Sequence, residues 1–111
     1  MSSKFLFDIF IISCTGFHDN SRKIALELQN LPVHVTIVWS DQNIKASIDW
    51  PCRAIQVPDD WYYGKKFQTC LENVRDTEYM MIVQGDVSCT DWKKLIARAF
   101  NVFKNRPLVG V

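Results

Sequence analysis

The chain has 111 residues, of which 48% are hydrophobic and 23% charged, and its formal net charge is +1. This apolar fraction is enough for a packed core, which excludes wholesale disorder, and the length fits one domain of the common size of about 100–150 residues. A near-zero charge gives no support to a nucleic-acid-binding face, which needs a concentrated basic stripe.

The first half of the chain alternates between apolar runs and polar breaks. Phe5–Ser13 is a continuous apolar run of strand length, typical of a strand buried on both faces. It breaks at a turn, Cys14-Thr15-Gly16, after which Asp19, Asn20 or Ser21 is predicted to cap a helix. That helix has its apolar positions at Ile24, Leu28 and Leu31 and is predicted to end at Pro32. Val33–Trp39 and Arg53–Val57 are predicted as the second and third strands.

The second half repeats this alternation. A helix is predicted with a buried stripe of Tyr63, Phe67, Cys70, Leu71 and Val74, and with Lys65 and Lys66 on the opposite, solvated face. Tyr79–Val83 is predicted as the fourth strand. A last helix, capped by Thr90 or Asp91, has an apolar stripe of Trp92, Leu95, Ile96, Ala99 and Phe103. The apolar run Pro107–Val111 then resembles the start of a fifth strand, so we expect a chain that is cut short there.

This order of elements predicts the fold class. Apolar strands joined by helices indicate an α/β domain over residues 1–111 with a mainly parallel, Rossmann-like sheet and flanking helices. The apolar run that begins at Phe5 is interrupted by Asp8 and is too short for a signal peptide or a membrane span of about 20 residues. No C-x-x-C pair occurs among Cys14, Cys52, Cys70 and Cys89, so we expect reduced thiols and a cytoplasmic protein, with any membrane association supplied by parts outside this chain.

Ligands of open parallel sheets bind outside the carboxyl ends of the strands. Polar groups recur at those ends in this sequence, and a Lys65-Lys66 pair begins the helix after the third strand. The candidate residues at the strand ends are Ser13, Cys14, Thr15, Asp41, Gln84, Gly85 and Asp86. The chain lacks the Gly-rich dinucleotide and P-loop fingerprints, so a bound diphosphate would need a divalent cation. Neither His18 nor His34 falls at a strand end, so no Ser-His-Asp arrangement is expected.

The segment Phe67–Asp91 carries a family resemblance that extends in order over the whole chain. A helix leads to the turn Thr77-Glu78-Tyr79, then to the apolar strand Met80–Val83, and then to Gln84-Gly85-Asp86 at the place of an acidic D-x-D-type motif. This order resembles the N-terminal, nucleotide-sugar-binding half of GT-A glycosyltransferases, and is most similar to the large inverting family of chondroitin-, cellulose- and spore-coat-type enzymes.

The resemblance implies a role for each candidate residue. Ser13 and Thr15, on either side of Cys14, would flank the nucleotide base, and Asp41 would hydrogen-bond to it. Lys65 or Lys66 would meet the base or the diphosphate. Asp86 would bind Mn²⁺ or Mg²⁺ in a motif whose first two positions are here Gln84 and Gly85.

The implied activity is transfer of a sugar from a UDP- or GDP-linked donor to a hydroxyl of a glycan, lipid or protein acceptor. A catalytic base is not assignable, because that residue and the acceptor site belong to the family's C-terminal half. A catalytically inactive nucleotide-sugar-binding module stays open as an alternative, because Gln84 replaces an acidic ligand. A nucleotidyltransferase ranks lower, because Cys14–Ser21 contains one glycine and no lysine or arginine, and a receiver-like module ranks low because the first strand does not end in acids.

Overall fold

The computed structural model describes residues 7–75, 77, 79–87 and 91–105. In chain order their elements are β1 (Phe7–Ser13), α1 (His18–Leu28), β2 (Val33–Trp39), β3 (Arg53–Gln56), α2 (Tyr63–Glu72), β4 (Tyr79–Gln84) and α3 (Trp92–Asn105). The strands form a parallel sheet in the order β3-β2-β1-β4. α1 connects β1 to β2 and α2 connects β3 to β4, whereas the connection from β2 to β3 contains no helix. The predicted α/β class with a parallel sheet and flanking helices is confirmed.

β1 lies at the centre of the sheet, as its sequence predicts. It pairs with β2 on one side and β4 on the other, and all seven of its residues are buried. Successive side chains of a strand point to opposite faces, so a strand covered on both faces has to be apolar along its whole length. The exception is Asp8, a carboxylate that is completely buried near the start of the strand.

Helices cover both faces of the sheet through two separate apolar clusters. The larger cluster joins alternate residues of β1 and β2 to α1 and α3, and its helical members are Ile24, Ala25, Leu28, Trp92 and Ile96. The smaller cluster joins Phe10 and Val38 to Cys70 of α2. Burial raises the pKa of the Cys70 thiol to about 11, in keeping with a structural rather than a reactive cysteine.

The bounds of α1 differ from the prediction. The helix begins at His18, before the expected caps at Asp19–Ser21, and Phe17 at its N-cap makes no side-chain capping bond. Gly16 has a φ of 92°, a left-handed conformation that lets the chain turn back immediately after β1. The helix ends at Leu28, short of the predicted end at Pro32, and Leu31 packs against the core from outside the helix.

The buried face of α2 is also different from the prediction. Cys70 is completely buried, but Tyr63, Phe67 and Leu71 are exposed, and Lys66, expected on the solvated face, is only 6% exposed. Lys66 and Cys70 are four residues apart and therefore share one face of the helix. The long stem of a lysine can be buried where its ammonium group reaches polar partners, and the strand ends supply such partners here.

α3 confirms one predicted cap and corrects one predicted core residue. The Asp91 carboxylate accepts a hydrogen bond from the Lys94 backbone N–H at 3.0 Å, which is an N-cap contact. Trp92 and Ile96 are buried as expected, but Leu95 is 41% exposed and does not belong to the core. β3 ends at Gln56, one residue before the predicted Val57.

Several predictions fall on residues that the structure does not describe. These are Phe5 at the predicted start of the first strand, the turn residue Glu78, the alternative cap Thr90, Cys89, the side chain of Phe103 and the final strand at Pro107–Val111. Within the described ranges, no helix is both long enough and apolar enough to cross a bilayer. Cys14, Cys52 and Cys70 are free thiols.

Candidate functional site

The carboxyl ends of β1, β2 and β4 meet at one edge of the sheet, here called the carboxyl edge. The strand pairing continues into the loops, because the Ser40 N–H donates to the Ser13 carbonyl at 3.0 Å and the Gly85 N–H donates to the Ile12 carbonyl at 2.8 Å. The loops that follow these strands therefore start side by side. This edge brings together the predicted Ser13–Thr15, Asp41 and Gln84–Asp86 segments.

A chain of hydrogen bonds links Ser13 to Asp41 through His18. The Ser13 hydroxyl lies 2.7 Å from His18 Nδ1, and His18 Nε2 lies 2.8 Å from an Asp41 carboxylate oxygen. The expectation that no Ser-His-Asp arrangement would form is therefore wrong. Gly16 makes the β1–α1 loop so short that the first residue of α1 returns to the strand end.

This series of hydrogen bonds holds Asp41 in position and does not activate a nucleophile. Ser13 is completely buried, and its hydroxyl also accepts a hydrogen bond from Ser21 at 2.8 Å, so no substrate can reach it. The His18 ring packs edge-on against Trp39 and Trp50, with ring centroids 5.7 and 5.6 Å away. These contacts fix the imidazole, and the imidazole fixes the carboxylate beside it.

Asp41 is an ionised acceptor at the mouth of a small cleft. Its carboxylate accepts the Asn43 backbone N–H at 2.8 Å, and this bond, followed by the bond from His18, lowers its pKa below the usual 3.8. The Gln42 N–H donates to the Thr15 hydroxyl at 2.8 Å, which ties the two loops together. The cleft has a volume of about 230 Å³ and is lined by Asp41, Ile44, Gln56, Val57, Pro58 and Asp59.

Lys66 places a buried ammonium group at the same edge. Its Nζ lies 3.4 Å from the Ser40 hydroxyl and 3.7 Å from the Cys14 sulfur. Among the described residues no carboxylate lies within 4.0 Å of this nitrogen. Each lysine also lies over an aromatic ring, with Lys66 Nζ 5.7 Å from the centroid of Tyr63 and Lys65 Nζ 5.5 Å from that of Trp61. Lys65 differs from Lys66 in that its side chain is exposed. Of the two predicted lysines, Lys66 is the one held among the strand ends.

A side chain of α1 holds the segment that follows β4. Asn20 donates its side-chain N–H groups to the carbonyls of Gly85 and Val87, at 2.6 and 2.9 Å. Gly85 is buried, and a Cβ there would meet the Ser21 hydroxyl and the Ile12 carbonyl. Gln84, the last residue of β4, is half-buried, while Asp86 is exposed beyond it.

A divalent cation fits this edge only if a bound substrate supplies most of the oxygen atoms that coordinate the cation. No group of three or more His, Cys, Asp or Glu side chains suited to a metal occurs within the described ranges. Asp86 is a single exposed carboxylate, and Asp41 already accepts two hydrogen bonds. Mg²⁺ is commonly held by one or two carboxylates together with substrate phosphates and waters. Asp86 could take part in such a site, because the bound phosphates would supply the other ligands.

Two residues of this edge, His18 and Asn20, were not among the predicted site residues. Both lie in the first turn of α1, and the signal that could have found them is the short loop with Gly16 directly after the first strand. Such a loop returns the start of the helix to the strand end that precedes it. Ser40 lies at a strand end that the sequence indicates, and its hydroxyl contacts Lys66.

Comparisons with known proteins give this arrangement no relative. No protein-family model matches the chain, and searches of curated proteins and of solved structures found no match either.

Proposed function

We propose that this chain is the nucleotide-sugar-binding part of a glycosyltransferase, which transfers a sugar from a nucleoside-diphosphate sugar to an acceptor hydroxyl with a divalent metal. The observation that carries the proposal is that one edge holds both an ionised, prepositioned carboxylate, Asp41, and a buried ammonium group, Lys66. A nucleoside diphosphate needs both features, because its base presents N–H donors and its diphosphate is an anion.

Asp41 and its cleft would receive the base. The N–H groups of uracil and guanine are donors that an ionised carboxylate accepts strongly. A carboxylate already held by His18 and Asn43 loses little entropy when the base binds. The apolar lining from Ile44 and Val57 would contact the ring. The contacts fit both a UDP- and a GDP-linked donor.

Lys66 and Asp86 would act on the diphosphate. In the described part of the chain the ammonium group has hydroxyl and thiol partners but no carboxylate partner, so a phosphate oxygen could balance its charge. Asp86 would hold Mn²⁺ or Mg²⁺, which supplies charge neutralisation for the leaving diphosphate. We assign no general base for the acceptor among these residues. A cytoplasmic location is part of the proposal, and the free thiols Cys14, Cys52 and Cys70 support it.

Calorimetric titration of UDP and GDP, with and without Mn²⁺, tests the proposal. We expect Lys66→Gln and Asp41→Asn each to weaken nucleoside-diphosphate binding at least about tenfold, the loss of one charge-assisted hydrogen bond. Asp86→Ala should remove the gain in affinity that Mn²⁺ gives. Lys23→Gln, on the exposed side of α1, is the matched control and should bind as the wild type does. An affinity for the nucleoside diphosphate that is unchanged in both Lys66→Gln and Asp41→Asn would refute the site.

An inactive nucleotide-sugar-binding module is the second candidate. It is favoured by Gln84 in the acidic motif and by the absence of a multi-residue metal site within the described ranges. The two candidates share the binding prediction and differ in turnover. Donor hydrolysis or sugar transfer by the full-length protein would support the enzyme, and tight donor binding without turnover would support the module.

A further inference from the structure

The opposite end of the sheet carries a second polar cluster that the proposed function does not use. Asp8 and His34 are register partners at the starts of β1 and β2, and Thr36 is the register partner of Arg53 at the start of β3. Arg75 joins them from the segment between α2 and β4. We call these five residues the amino-edge cluster. Register partners of parallel strands face the same side, and here that side is the one covered by α2.

Two guanidinium groups converge on one hydroxyl in this cluster. The Thr36 Oγ1 accepts hydrogen bonds from Arg53 Nε at 3.0 Å and from Arg75 Nη2 at 3.1 Å. Arg53 also donates to the Asn73 carbonyl at 2.8 Å, and Arg75 Nη1 lies 3.0 Å from His34 Nδ1. Thr36 is completely buried, so the two cations are held close together at a fixed place.

The charges of the cluster do not balance within the described residues. Asp8 is the one carboxylate in it, and its Oδ2 accepts the Arg75 backbone N–H at 2.5 Å. The cluster therefore contains two guanidinium groups and a single carboxyl group. Partial burial is the larger cause that lowers the pKa of Arg53, and charge repulsion from the nearby Arg75 lowers it further.

A cleft opens beside the two arginines. β3 begins only at Arg53, opposite Thr36, so the first residues of β2 have no β3 partner on that side. The cleft there has a volume of about 310 Å³, and its polar lining comes from Gln29, His34, Cys52, Arg53 and Arg75. Each guanidinium has five N–H donors, and the described contacts use two of them in each arginine.

We propose that this cleft binds a phosphate group, either free or carried by a small metabolite. A tetrahedral oxyanion presents several oxygens to planar guanidinium forks, which is the geometry that favours arginine over lysine at phosphate sites. Its charge would balance the excess cation. β1 is seven residues long, so this site lies roughly 20 Å from the carboxyl edge and is separate from the proposed donor site. The proposal therefore does not depend on the glycosyltransferase assignment.

Titration of the full chain with inorganic phosphate and with a hexose phosphate tests this, at constant ionic strength and with chloride as the reference anion. The readouts are binding heat and the ¹H–¹⁵N signals of the arginine side chains. We expect saturable binding that shifts the Nε signals of Arg53 and Arg75. Arg53→Gln and Arg75→Gln should each weaken it at least about tenfold. Absence of saturable phosphate binding by the wild type would overturn the proposal.

Two further variants test whether phosphate binding depends on the guanidinium group of Arg53 or on positive charge in general. Arg53→Lys retains the charge without the fork and should bind more weakly than the wild type but better than Arg53→Gln, provided that its thermal unfolding matches the wild type. Arg98→Gln, exposed on α3, is the control and should leave phosphate binding unchanged. Equal loss in the Arg98 and Arg53 variants would mean nonspecific charge attraction and would refute the site.

Asp76 and Glu78 flank Arg75 in the sequence and lie outside the described residues. Asp76→Asn and Glu78→Gln are therefore titrated alongside. If phosphate binds only after one of these acids is neutralised, an internal carboxylate occupies the cleft and the proposal fails. Binding by the unmodified chain, with a similar affinity in both variants, supports it.

Discussion

His18 connects parts of the chain that are distant in sequence, because its two ring nitrogens face Ser13 and Asp41. A consistent set of donors runs from the Ser21 hydroxyl to the Ser13 hydroxyl, then to His18 Nδ1, and from His18 Nε2–H to the carboxylate. In this set the Ser13 hydroxyl accepts one hydrogen bond, from Ser21, and donates another, to His18. Asp41 is therefore held by groups that are themselves fixed, which is how a binding residue is preorganised.

The ionised state of Asp41 gives a pH prediction. Its pKa is lowered in the folded chain, so its contribution to stability is complete above the unfolded value near 3.8 and is lost as the pH falls through the lower, folded value. Asp41→Asn should unfold at a lower urea concentration than the wild type at pH 7. The difference between the two proteins should shrink below pH 3.8. A difference that stays constant from pH 7 to pH 3 would contradict the assignment.

Gly85 gives a prediction about close packing under the site. A Cβ at this position would lie 2.9 Å from the Ile12 carbonyl, which is itself bonded to the Gly85 N–H and cannot move away freely. We expect Gly85→Ala to lower the free energy of unfolding by about 1–3 kcal/mol, the usual cost of overpacking. Chemical denaturation of Gly85→Ala and the wild type measures this difference in the free energy of unfolding.

Gly64 is the matched control for that substitution. The three atoms nearest to its added Cβ all belong to the ring of Tyr62, which is 68% exposed and free to rotate away. Because alanine is favoured over glycine within helices, Gly64→Ala should raise stability by up to about 1 kcal/mol. If both alanine variants destabilise to the same extent, the contact at Gly85 is not the cause.

At the scale of elements, the strands were more predictable than the helix faces. Strand residues such as Phe7–Ser13 and Val33–Trp39 are recognisable because both faces are buried, so the signal is a continuous apolar run. Helix faces are harder, because a long side chain can be buried by its stem while its charge stays paired. Lys66 is the example, since sequence alone places any lysine of an amphipathic helix in solvent.

The candidate site was predictable in position but not in its contacts. The rule that ligands lie at the carboxyl ends of parallel strands placed Asp41 and Gly85 at one edge. That rule says nothing about which helix turns reach the same edge, so it missed His18 and Asn20. Whether Asp86 binds a metal stays a prediction.

α3 supplies a prediction that separates the two neighbouring aliphatic residues Leu95 and Ile96. Ile96 is 2% exposed and packs in the larger apolar cluster, while Leu95 is 41% exposed. Ile96→Ala should therefore cost about 2–4 kcal/mol of unfolding free energy, and Leu95→Ala less than about 1 kcal/mol. Urea denaturation of both variants measures the difference. Equal costs would mean that α3 is rotated about its axis, so that Leu95 also faces the core.

The whole molecule has two chemically different ends, because every strand of the sheet points the same way. The carboxyl edge holds Asp41, which lines one cleft, together with Lys66. The amino edge holds Arg53 and Arg75, which line a second cleft. β1 carries the central residue of each end, Ser13 at one and Asp8 at the other. A rigid β1 therefore keeps both sites in place.

The rigidity of β1 can be measured by hydrogen exchange. β1 is paired on both sides and completely buried, whereas β3 has four residues, three of them exposed, and pairs only with β2 among the described strands. Amides of β1 should open only with global unfolding, while those of β3 should exchange at least about tenfold faster through local opening. Deuterium uptake measured by mass spectrometry on peptides that cover each strand would show this order. Equal protection of the two strands would mean that the outer edge of β3 is covered, or that the sheet opens as a single cooperative unit.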